Sequence, residues 1–250
     1  MRITILGSGT GWITSKRSSP AYLVSRDNFH LLLDFGPGTL RQLLKIGLNL
    51  NDITAIFISH FHPDHISDLI PFLFATRYRL GYQRKEGFEL IVHKNFLELY
   101  EGLKKAFGHW VCPPEDLMKL KLVSESSSFT IGPFRAQTIG VNHNPESLAI
   151  KLEVNEKTLV YSGDTGFCED LIEFSKGVTL LILECANSEN VLAPGHLSPK
   201  EIAEIAGKAN PETLILTHFY PHSENPNLEI IKEKFEGKII LAEDFLTLEL

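Results

Sequence analysis

Cysteine is scarce in this chain, with only Cys112, Cys168 and Cys185 among 250 residues. Odd in number and widely spaced, they exclude a disulfide framework and fit a reducing compartment, so a cytoplasmic location is expected. Long apolar runs are missing too. No stretch approaches the roughly 18–20 residues of a membrane span, which excludes a transmembrane segment and a membrane partner. The opening residues, MRITILGSGTGW, carry one basic residue and a short apolar run that gives way to glycines, unlike a secretory leader. Positive charge is in deficit. A net charge of −7 argues against a dedicated nucleic-acid binder, because such domains carry a basic stripe that displaces counterions from phosphates. Low-complexity linkers and fixed-period repeats are absent, so one domain over residues 1–250 is expected.

What is present is a globular composition, 43% hydrophobic and 22% charged, enough to bury a sizeable core. Short β-type runs recur: RITIL, AYLV, HLLLDF, AIFIS, FELIVH, KLKLV, AQTIGV, LAIKLEV, TLVYSG, TLLILE, TLILTH, KIILA and LTLEL. LAIKLEV alternates, with Leu148, Ile150, Leu152 and Val154 on one face, whereas TLLILE and TLILTH are nearly continuous, as in strands covered on both faces. Helical patterns lie between them. GTLRQLLKIG ends at Gly47, and LSPKEIAEIAGKAN offers Ser198 as N-cap, Pro199 at the first helical position and Glu201 for a capping box. Pro71 predicts a break in the helix after residue 65. The pattern is that of an α/β domain, sheets inside and helices outside.

The stretch ISHFHPDHISD, residues 58–68, concentrates chemistry. His60, His62, Asp64 and His65 put four metal-binding side chains into six positions at the end of a strand. In extended backbone His60 and His62 point the same way and reach one cation; Pro63 then turns the chain, so that Asp64 and His65 face a neighbouring one from a helix start. A polar loop with incidental histidines is the competing reading. The missing ligands belong at the ends of later strands, where His143 follows AQTIGV, Asp164 follows TLVYSG and His218 follows TLILT. Each alone is unremarkable, and Asp164 in SGDTG also suits a turn. Combined, they complete a two-metal site: His60, His62 and His143 at one ion, Asp64, His65 and His218 at the other, Asp164 bridging. His196, in the PGHLSP turn, suits a phosphate contact or proton donor rather than a ligand. His30, His93, His109 and His222 have no constellation and read as structural or surface residues.

Gly7, Gly9 and Gly11 follow a strand, yet Trp12 stands where a dinucleotide-binding fingerprint needs its third glycine, so a tight turn near the site is expected. DFGPGTL lacks the lysine of a phosphate-binding loop and reads as a turn into a helix.

These residues resemble the metallo-β-lactamase superfamily, whose HxHxDH signature HFHPDH matches. Within it the chain is most similar to the ribonuclease Z-like group, through LGSGTG, RSSPAYLV, LLLDFGPGTLRQL, SGDTG, the GHLS turn and LTHF in the same order. The resemblance implies an αββα sandwich, two mixed sheets flanked by helices, with a dinuclear zinc site at one edge. It also marks a departure. Transfer-RNA-processing members carry a long arm between the third metal histidine and the bridging aspartate, and here two short strands and the NEKT turn fill that interval. A basic stretch at Arg77, Arg79, Arg84 and Lys85 shapes a substrate mouth or is a solvated face.

The function expected is metal-dependent hydrolysis of a phosphodiester, with a metal-bridging hydroxide as nucleophile. Asp64 orients it and takes its proton, while His196 stabilises or protonates the leaving side. An RNA 3′ end, a cyclic nucleotide and a small diester all fit as substrate. Imidazole with carboxylate favours Zn²⁺, with Mn²⁺ or Fe as other occupants of N/O sites. A carboxylic ester, thioester or lactone substrate is the alternative on the same site. A non-hydrolytic metal-binding or redox protein is the alternative from another class. Exposed helix faces leave a homodimer open.

Overall fold

In the computed structural model, which describes residues 1–77 and 84–250, the first half of the chain builds one sheet and the second half another. Strands β1 (Arg2–Gly7), β2 (Ala21–Arg26), β3 (Phe29–Leu33), β4 (Ala55–Phe57), β5 (Phe88–His93) and β6 (Met118–Val123) lie side by side in that order. Strands β7 (Ser128–Ile131), β8 (Phe134–Gly140), β9 (Leu148–Val154), β10 (Lys157–Tyr161), β11 (Leu180–Glu184), β12 (Thr213–Thr217) and β13 (Lys238–Leu241) do the same in the second sheet. The last strand, β14 (Thr247–Glu249), returns to pair antiparallel with β1.

Period-two alternation sorts side chains into layers. On β2, Tyr22 and Val24 enter the core between the sheets, where they share a cluster with Leu148, Ile150 and Leu152 of β9. Ala21 and Leu23 face the other way, into a second core with the helix residues Leu43, Phe72 and Phe96. These belong to α1 (Thr39–Lys45), α3 (Leu69–Thr76) and α4 (Phe96–Phe107), while α2 (Pro63–Ile66) is a single turn before α3. The second sheet is covered by α5 (Glu169–Phe174), α6 (Pro199–Ala209) and α7 (Leu228–Lys232), which bury Leu171, Ile202, Ile205 and Ile231. The layers are therefore helix, sheet, sheet, helix, as the resemblance implies.

All thirteen runs read as β-type coincide with strands, and LAIKLEV buries its expected face while Lys151 and Glu153 point outward. The strand not read is β7, SFTI, at the edge of the second sheet and only partly buried. Helix signals also act where expected. Gly47, at φ +83°, ends α1 as the Leu48 amide donates to the Leu43 carbonyl at 3.0 Å and the Gly47 amide to Leu44 at 3.1 Å. The Glu201 carboxylate accepts from the Ser198 amide at 2.8 Å. Pro71 falls in the first turn of α3, where its missing amide removes no helical bond, and the break comes just before, between α2 and α3.

The basic stretch is corrected. Arg84 is buried, and its guanidinium donates to the carbonyls of Glu86, Leu50, Ile53 and Gly87 instead of facing solvent or substrate. Arg77 donates to the Cys112 carbonyl, Lys85 is exposed, and Arg79 lies outside the described residues.

One close approach positions the site. A Cβ on Gly36 would stand 2.1 Å from the Asp64 carbonyl oxygen and 2.9 Å from that of Pro20. Gly36→Ala is thus expected to push α2 outward and destabilise the protein by about 1–3 kcal/mol. Thermal unfolding checks this, and an unchanged midpoint would refute it.

Candidate metal centre

Six residues at the site end a strand or follow one by at most three positions, while His62, Asp64 and His65 lie further along the turn and helix after His60. Asp34 follows β3, His60 follows β4, His143 follows β8, Asp164 follows β10, and His218 follows β12, while Glu184 is the last residue of β11. The pairs β3–β4, β10–β11 and β11–β12 are parallel, and β8 and β10 both run antiparallel to β9, so within each sheet these ends share one edge. Cross-sheet contacts bring the two edges together: the Leu148 amide donates to the Ser59 carbonyl at 3.0 Å, and Tyr22 Oη lies 2.9 Å from Thr217 Oγ1.

At that edge the structure gathers all seven expected ligand side chains. One nitrogen or carboxylate oxygen each from His60, His62, His143 and Asp164 lie within 4.8 Å of one another, and so do those of Asp64, His65 and His218. Asp164 stands between the triads, with Oδ2 3.7 Å from His60 Nε2, 3.3 Å from His65 Nε2 and 3.4 Å from His218 Nε2. Asp64 Oδ2 is 3.5 Å from His218 Nε2 and 3.8 Å from His65 Nε2. His143 Nε2 is 3.2 Å from His62 Nδ1, and Asn144 Nδ2 is 3.0 Å from His62 Nε2. His218 sits at φ +59° and Asp34 at φ +61°, in the left-handed region that non-glycine residues rarely adopt.

The donor set fits divalent cations. His60 is fully buried, its Nδ1 lies 3.0 Å from Ser59 Oγ, and its Nε2 has no hydrogen-bond partner among the described residues. A buried, unpaired imidazole nitrogen facing a carboxylate and other imidazoles is what a coordinated cation satisfies. Burial, reinforced by neighbouring His65, pushes His60 well below the ordinary histidine range, so it is neutral, the form that binds metal. Burial also works against charge on His65, but Asp164 and Asp34 outweigh it and hold that imidazole well above its usual value. Burial raises both acids, yet His218 and His65 hold Asp64 and Asp164 ionised, well below the usual carboxylate range.

Two carboxylates behind the cluster were not among the expected residues. Asp34, fully buried, accepts from Ser59 N at 2.7 Å, Ser59 Oγ at 2.8 Å, Tyr161 Oη at 2.5 Å and His65 Nδ1 at 2.7 Å. It fixes the His65 ring with Nε2 toward the cluster. Glu184 accepts from Thr165 N at 3.1 Å, Ala186 N at 2.9 Å and His196 Nδ1 at 2.7 Å. Both sit at the carboxyl ends of apolar strands, the same signal that marked the metal-type residues.

His196 is brought to the cluster: an atom of its ring, with atoms of Asp164 and His218, forms a third group within 4.8 Å. Burial disfavours its protonation, but Glu184 wins and raises it above the ordinary value. The remaining histidines stay out, as expected. His30 bonds Ser25, His93 faces Glu125, His109 lies against Trp110 and His222 against Tyr220. Between His143 and Asp164 the chain consists of β9, a turn at Asn155–Glu156 with both residues at positive φ, and β10, leaving no arm.

Known proteins share this architecture. The chain is 27% identical over 254 residues to a probable metallo-hydrolase, YhfI of Bacillus subtilis, covering 97% of each chain. It is 27% identical over 305 aligned positions to a ribonuclease Z of Methanosarcina acetivorans, covering 100% of this chain and 98% of that one. Since 305 positions are aligned against 250 residues, the Methanosarcina protein carries about 55 residues with no counterpart here. Crystallised YhfI, a metallo-β-lactamase fold protein, superposes with a TM-score of 0.86 at 24% identity over 100% of this chain and 98% of that one. The short form of human tRNase Z superposes with a TM-score of 0.76 at 22% identity, over 100% and 99%. With a family model matching residues 1–238, this metallo-hydrolase of the metallo-β-lactamase fold belongs to the family described as anti-Pycsar protein Apyc1.

Proposed function

We propose that the protein hydrolyses phosphodiesters with two divalent ions, His60, His62 and His143 holding one, Asp64, His65 and His218 the other, and Asp164 serving both. The position of Asp164 carries this reading, because one carboxylate oxygen lies within 3.7 Å of imidazoles from both triads. Imidazole with carboxylate favours zinc. Bound there, divalent ions would lower the pKa of water toward about 7 and would neutralise charge building on phosphorus.

The chain's own groups do the rest. Asp64, ionised and oriented by His218 and His65, accepts the remaining proton of the attacking water. Glu184 holds His196 Nδ1, which leaves Nε2 toward the cluster as donor to the departing oxygen. A phosphodiester needs that donor, since its leaving oxygen departs with charge. The short β9–β10 connection supports small diesters, a cyclic nucleotide among them, over transfer-RNA 3′ processing. Three free thiols fit a cytoplasmic location.

The metal-loaded protein is expected to turn over an aryl phosphodiester in preference to an aryl carboxylic ester at equal concentration, with metal content near two per chain. Preference for the carboxylic ester would move the reading to that substrate class. Asp64→Ala is expected to lower kcat by about 10²–10⁴-fold with little change in KM. Activity surviving within a few fold would rule out this proton acceptor.

A further inference from the structure

Tryptophan is highly buried on average, so a largely exposed indole offers apolar surface to a ligand. Trp12 is 66% exposed, and no ring among the described residues stacks on it. Its backbone is nevertheless held. The Trp12 amide donates to Thr10 Oγ1 at 3.1 Å, and Thr10 is buried. Beside this turn the Gly9 amide donates to the Ser18 carbonyl at 2.8 Å, and the Arg17 amide to Thr14 Oγ1 at 3.1 Å. The turn stands at the cluster itself, since a Cβ on Gly11 would lie 3.5 Å from Asp64 Cγ and Oδ2. Trp12 therefore stands one residue beyond the backbone position that abuts Asp64, on a turn whose backbone is held.

A second planar surface leads outward from the same cluster. Tyr220 lies edge-on to His218, ring centroids 6.1 Å apart at 89°, and the exposed His222 stacks on Tyr220 at 5.5 Å and 11°.

Two ring surfaces beside a site for a phosphate suit a flat group attached to that phosphate. Stacking on a ring accepts any base, since every base has a π-face. Resting on the phosphodiester reading, we infer that Trp12 is a specificity residue: its indole stacks on the nucleobase of a nucleotide-bearing phosphodiester.

The metal-loaded protein is assayed on thymidine 5′-(4-nitrophenyl phosphate) and on methyl 4-nitrophenyl phosphate, which share a leaving group and differ in carrying a nucleoside or a methyl group. Trp12→Ala is expected to lower kcat/KM on the thymidine ester about 5- to 150-fold, mainly through KM, while the methyl ester stays within about twofold. Trp12→Phe restores most of the loss. Equal losses on both esters, or no loss on the thymidine ester, overturn the assignment. If the wild type turns over neither ester, the phosphodiesterase reading fails separately, and binding decides the role of Trp12. In a Trp110→Phe background Trp12 is the one remaining tryptophan. Adenosine 5′-monophosphate is then expected to quench its fluorescence saturably while ribose 5-phosphate does not. The same response to both overturns the inference.

Discussion

Asp34→Ala is expected to destabilise the protein by about 3–5 kcal/mol, the range for removing one partner of a buried charged pair. The carboxylate has no solvent exposure and accepts from four donors, Ser59 N, Ser59 Oγ, Tyr161 Oη and His65 Nδ1. Alanine leaves all four unpaired in a low-dielectric interior, where each lost acceptor carries its own desolvation penalty. At roughly 2–4 °C per kcal/mol for a chain of this size, the unfolding midpoint falls by about 6–20 °C. The expectation concerns the metal-free protein, so it does not depend on the proposed function. Metal affinity is expected to fall about 10- to 100-fold as well, because the His65 ring loses the group that orients it. Chemical denaturation and metal titration read the two effects separately. A stability loss below about 1 kcal/mol would mean that water replaces the carboxylate, and that Asp34 is not the support described here.

Asp164→Ala is expected to drop metal content from near two per chain to one or fewer and to take phosphodiester turnover to background. Its Oδ2 lies within 3.7 Å of His60, His65 and His218, so on the proposed two-ion reading its loss would strip the carboxylate shared by both triads. Without that carboxylate the cluster has less negative charge to offset two dications. Asp164→Asn keeps the shape and removes the charge, and it should lose metal nearly as fully. Elemental analysis of both variants, beside circular dichroism to show retained fold, decides the matter. Two metals and full turnover in the Asn variant would remove Asp164 from the bridging role.

The residues that escaped sequence reading share a physical cause. Asp34 lies in LLLDFGPG, where glycine and proline point to a turn, and nothing local says that Ser59, Tyr161 and His65 will converge on it. Glu184 ends TLLILE as an ordinary strand terminus, and its role appears only when His196, twelve residues on, folds back to 2.7 Å. Arg84 sits in a charged stretch that reads as solvated, but four backbone carbonyls and the rings of Phe72 and Phe88 enclose it. Strand β7 was passed over because an edge strand with partly exposed side chains lacks the apolar run that marks central strands.

By itself the sequence determined thirteen of the fourteen strands, the helix caps and the HFHPDH half of the metal-type cluster, with His143, Asp164 and His218 as strand-end candidates for the rest. Those signals are local: period-two burial, a proline or glycine at a helix end, and four ligand side chains within one strand-to-helix turn. The tertiary structure alone decided that those strand-end candidates meet the turn, and which carboxylates stand behind them. Strands running the same way deliver their carboxyl ends to a shared edge, and packing the two sheets face to face brings His143, Asp164 and His218 to HFHPDH with Asp34 and Glu184 behind them. Spacing along a chain carries no information about such an edge until the sheets close over their common core.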